Sequence, residues 1–128
     1  MPALERLQGV RVVADPAATD AARWAGDRVL VLRFAPDEAF AIGATAAEVD
    51  DPNAIIELEA AFVGAVVPLD DVRRRLEWAL PTERPVLAQG ALAGVPVKVW
   101  LAGDDGTAFL VAYGASAPEL IESPGSVR

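Results

Sequence analysis

The chain has 128 residues, 53% of them hydrophobic and 23% charged, a formal net charge of -8, and neither histidine nor cysteine. Without imidazole or thiol there is no serine triad, no cysteine dyad, no histidine- or thiolate-held metal and no disulfide framework. The acid excess argues against nucleic acid, whose phosphates bind cationic surfaces, and the apolar stretches are broken well short of the roughly 20 residues that cross a bilayer.

The length suits one domain, and the hydrophobic content is enough to bury a core. The expectation is a single α+β domain over 1–123 with a flexible C-terminal tail at 124–128. The first residues, MPALERLQG, place Glu5 and Arg6 where a secretory signal would continue its apolar run, so a cytoplasmic protein is expected.

VRVVA at 10–14 is β-branched and predicts a short strand. Asp15 as cap, Pro16 at the first helical position and Gly26 as exit predict a helix over 16–25. RVLVLRFAPDEAFAIGA then reads as two strands, near 28–35 and 39–43, turning through Pro36, Asp37 and Glu38. The segment 53–67 mixes helix and strand formers. Gly64 and Pro68 favour extended structure bending near Glu59 to Ala61.

LDDVRRRLEWAL, 69–80, puts Leu69, Val72, Leu76 and Leu80 on one helical stripe, with Asp70 and Asp71 set to pair with Arg74 and Arg75 at i,i+4. Residues 85–113 predict three strands turning at Gly94 and at Gly103 to Gly106. In the second of them Val95, Val97, Val99 and Leu101 face one way, Lys98 and Trp100 the other. Ser116 and Glu119 match a capping box that opens a last short helix. The sum is one mostly antiparallel sheet, built from hairpins and a meander, with about three helices packed against it. The element order is similar to that of secretion chaperones in topology alone, with no motif behind it.

Glu57 and Glu59 are the first candidates for chemistry. On a strand they share a face about 7 Å apart, and an apolar pocket could raise one pKa and split acid from base roles. The plainer reading of the two is a solvated face or a charge-guarded sheet edge. Tyr113, the only tyrosine, could donate to an oxyanion or pack its ring in the core. Lys98, the only lysine, could form a Schiff base or lie over Trp100 on an outer strand face. The pairs Asp50-Asp51, Asp70-Asp71 and Asp104-Asp105 lack the alternating spacing of a calcium loop and suit turns and a helix start, so no metal and no cofactor is expected.

Trp78, on the polar side of its helix, and Trp100, beside Lys98, are candidate anchors for a protein partner. The reading is a small acidic, non-catalytic protein-binding module: an adaptor, chaperone-like or immunity-like protein, or an accessory subunit, with a flat sheet suited to a homodimer. The alternative is a small-ligand site or cofactor-independent proton-transfer enzyme using Glu57, Glu59, Arg33 or Tyr113 in an apolar pocket.

Overall fold

A computed structural model describes residues 4–75, 79–92, 94–103 and 105–116. Its contacts fall into two compact units, Leu7–Ala60 and Met1–Arg6 with Ala61–Arg128, and each holds its own antiparallel sheet. The expected mostly antiparallel architecture is present, but in two sheets rather than one. Among the described residues there are two α-helices, not three. The predicted last helix and the tail at 124–128 lie outside the described residues.

The Leu7–Ala60 unit grows from the β-branched run that the sequence marks. Strand β2, Gly9–Val13, follows β1, Glu5–Arg6, and alternates Val10 and Val12, both fully buried, with Arg11. Helix α1, Pro16–Asp20, comes next, then β3, Arg23–Ala35, β4, Glu38–Glu48, and β5, Ile55–Glu59, in the sheet order β3-β4-β2-β5. Val10, Val12, Ala14, Ala18, Ala41 and Ala44 form the core, with Trp24, Val29 and Val49 packed against it. Each fully buried valine contributes about 1.5–3 kcal/mol over its exposed state.

The predicted helix over 16–25 stops at Asp20. Arg23 to Gly26 are claimed instead by β4, with Arg23 opposite Glu48 and Trp24 opposite Ala47. Sheet pairing and the burial of Trp24 outweigh the helix preference of the alanines. Gly26 is therefore no helix exit. It sits at a register shift in β3 with φ 147°, where a Cβ would drive into the Gly43 carbonyl oxygen. Pro16 does open α1, but the Asp15 side chain makes no cap. Asp51 Oδ2 accepts the Asp15 backbone N–H at 2.9 Å instead.

In the second unit, β6, Phe62–Pro68, leads into α2, Leu69–Arg75. Strands β7, Val86–Leu92, β8, Val95–Leu101, and β9, Thr107–Tyr113, follow, giving the sheet order β1-β6-β9-β8-β7. Residues 53–67 are thus two strands separated at Ala60 and Ala61, as the sequence suggests. The core lies on one face, where Val67, Val97, Val99, Leu101 and Leu110 meet Leu69 and Val72 of α2. Leu80 still packs against this core, although Ala79 and Leu80 are not helical, so α2 ends before them. Its charges pair one residue closer than expected, Asp70 with Arg73 at 3.7 Å and Asp71 with Arg74, both at i,i+3.

Candidate functional site

Directly opposed residues of an antiparallel pair project from the same face. In the second unit Phe62 is opposite Tyr113, Val66 opposite Phe109, and Phe109 in turn opposite Trp100. Lys98 is opposite Val111 on the same face, with Gln89 and Leu87 of β7 beyond Lys98 and Trp100. The sheet therefore carries its helix-covered core on one side and four aromatic side chains on the other.

These rings are graded in exposure. Phe62 is 1% exposed and stacks on Tyr113, ring centroids 4.5 Å apart at 21°, while Tyr113 keeps 49% of its surface open. Lys98 Nζ lies 6.0 Å from the Phe62 centroid, within the range of a cation-π attraction. Trp100, Phe109, Leu87 and Lys98 are half-buried, and Val66 is 61% exposed. Lys98, the only lysine of a chain with net charge -8, shares this face with Glu5 of β1, which is opposite Gly64. Phe62 and Val111 on this face are buried, and the part that stays open is rich in aromatic rings, the residue type enriched in interfaces.

The structure thus brings Lys98, Trp100 and Tyr113 onto one face. Trp78 lies outside the described residues. Phe62, Phe109 and Val66 were not singled out from the sequence. The signal was there in TAFLVAY, where Phe109 and Tyr113 alternate with core residues, but their face follows only from the register with β6 and β8.

Glu57 and Glu59 do share a strand face, but on β5, the last strand of the other unit's sheet. The Glu57 side chain is 57% exposed, with Arg11 Nη1 at 3.9 Å, and Glu59 is half-buried. Arg33, a further polar candidate, is held by Asp20 at 2.7 Å and by the backbone carbonyls of Ala35 and Pro36. A cleft of about 220 Å³ in the same unit is lined by Arg23, Trp24, Ala25, Ala46, Ala47 and Glu48, so neither Glu57 nor Glu59 borders it.

Two of the aspartates, Asp51 and Asp105, hold backbone N–H groups. Asp51 accepts the N–H groups of Asp15 and Asn53, both at 2.9 Å, and these two bonds hold its carboxyl below the usual carboxylate range. Asp105 accepts the Thr107 hydroxyl at 2.8 Å and its N–H at 3.0 Å, with the same effect. Among the described residues no three acidic side chains converge as a metal site. Among them, too, no helix is long and apolar enough to cross a membrane.

Comparison with protein-family models, curated proteins and solved structures finds no match.

Proposed function

We propose that this chain is a non-catalytic protein-binding module, an adaptor or accessory subunit that docks through the aromatic face of its second sheet. The observation that carries the reading is the grouping of Trp100, Phe109, Tyr113 and Val66 around Lys98, partly open to solvent, opposite a core that α2 already covers. Aromatic rings give large contact area at low entropic cost and dominate binding energy when a partner desolvates them. The partner is another protein with an apolar centre.

Two copies meeting through this face would be the homodimeric form of the same reading. A light-scattering mass of one chain at micromolar concentration excludes that form. A ligand or proton-transfer site at Glu57 and Glu59 gains no support from their place on an outer strand, because the pKa split it needs depends on burial.

The test is quantitative capture from the host lysate with the wild type, Val66→Asp and Trp100→Ser. Val66 is 61% exposed, so its replacement leaves the core intact. A polypeptide held by the wild type and lost by both variants supports the reading, and equal recovery on all three removes it.

A further inference from the structure

The ladder between β3 and β4 is regular from Leu30 to Arg33 and broken beyond it. Leu30 is opposite Ile42 while Gly26 is opposite Ala44, so Asp27, Arg28 and Val29 stand against Gly43 alone. A second shift follows at once, because Ala25 is opposite Ala46 and Thr45 is passed over. Bulges of this kind bend a strand, re-aim its side chains and often flank binding sites.

Next to these breaks lies the cleft of about 220 Å³, floored by Ala25, Ala46 and Ala47, whose small side chains leave the room. Trp24, half-buried, supplies its aromatic wall. Sites for drug-sized molecules run to about 300–1,000 Å³, so this one admits a single small ring. The charges that line it cancel. Arg23 is opposite Glu48, and one carboxylate oxygen joins the pair: Glu48 Oε2 accepts from Arg23 Nη2 at 2.7 Å and from Nε at 3.2 Å. Among the described residues Arg23 Nη1 and Glu48 Oε1 have no hydrogen-bond partner, and both side chains are 75% exposed. Asp50 adds negative charge near Arg23.

That arrangement selects a neutral ligand. An anion would compete with Glu48 for Arg23 and meet the charge of Asp50, and a cation would compete with Arg23 for Glu48. Adjacent hydroxyl groups do what neither ion can: one accepts from Arg23 Nη1, its neighbour donates to Glu48 Oε1, and the ion pair stays closed. The indole face is the negative part of a quadrupole and attracts the weakly positive C–H groups of a saturated ring. We propose that the cleft at Trp24 binds a neutral pyranose sugar, its C–H face on the indole and a vicinal diol across Arg23 and Glu48. The site is independent of the aromatic face of the second sheet, so either can fail without the other.

The test is a titration of the full isotope-labelled chain, followed by magnetic resonance at the amides of 23–25 and 46–48 and at the Trp24 indole N–H. Glucose, galactose, mannose and their methyl glycosides are the probes; cyclohexanol, nicotinamide, glucuronate and glucosamine are the controls. At least one neutral sugar is expected to shift signals on both strands, more strongly than any control. Methyl glycosides that bind as well as the free sugars support the proposal with the end of a glycan as ligand, and binding of the free sugars alone supports it with a soluble monosaccharide. Glu48→Gln and Arg23→Gln, at exposed side chains, are expected to leave the melting curve in place and to weaken sugar binding about three- to tenfold, the worth of one hydrogen bond. Glu48→Gln is also expected to strengthen the response to glucuronate, because Arg23 loses its partner. The comparison of sugars with controls on the wild type stands whether or not a variant folds. No shift at these residues with any neutral sugar, a response to cyclohexanol or nicotinamide equal to that of the sugars, or unchanged sugar binding in both variants would each overturn the proposal.

Discussion

The ring of Phe62 is almost wholly buried, yet it stacks at 4.5 Å on Tyr113, a ring half open to solvent. The pair marks the boundary on this face between surface committed to folding and surface left open, and the two residues are expected to respond differently to truncation. Phe62→Ala should cost about 3–5 kcal/mol, the range for deleting a buried aromatic ring. Tyr113→Ala should cost about 1 kcal/mol, close to the lost stacking alone. Urea unfolding of the two variants measures both.

Asp51 ties the start of α1 to the turn before β5 by accepting two backbone N–H groups. Its folded pKa lies below the unfolded value of about 4, so the stabilisation is complete above that value and disappears as pH falls through the folded pKa. Asp51→Asn should therefore lower the melting temperature at pH 7. The gap to the wild type should close as pH drops below about 4. Thermal melts between these limits test the sign as well as the effect.

Close backbone approach favours Gly9, because a Cβ there would enter the Ala41 carbonyl and stand 3.0 Å from the Ile42 Cα. Gly103 has open space around it and no left-handed backbone. Gly9→Ala is expected to cost about 3 kcal/mol, at the upper end for overpacking. Gly103→Ala should change stability by less than about 0.5 kcal/mol. Chemical denaturation of both variants decides this.

Arg11 pairs closely with Glu38, at 2.7 Å with both side chains more than two-thirds buried. Glu38→Gln should cost about 1 kcal/mol, less at high salt. Glu57→Gln removes a partner at 3.9 Å and should be silent in unfolding experiments.

Much of the strand pattern was legible because period-2 alternation is written directly into segments such as VPVKVWL, whose Val95, Val97, Val99 and Leu101 are all buried. The extended reading of 53–67 also held, since Gly64 and Pro68 weigh against a helix whatever the tertiary context. The helix over 16–25 failed where local propensity met a long-range competitor: Ala25 reads as helix, but it pairs with Ala46 in β4. Division of the strands between two sheets was not legible, because it depends on which strands pair, and β1 with β6 and β2 with β5 join residues far apart in sequence.

The same limit applies to the candidate site. Lys98 and Trp100 share a face by alternation alone, so they could be named together. That Tyr113 joins them and that Glu57 lies in the other unit both depend on sheet order, which no spacing in the sequence encodes.

The most direct measurement is native mass spectrometry of the tagged chain and its Val66→Asp variant, each captured from the host lysate. The wild type is predicted to carry a stoichiometric second polypeptide that the variant lacks. Bare protein in both samples, or a reproducible low-mass adduct in place of a polypeptide, would contradict the account and return attention to Glu57 and Glu59.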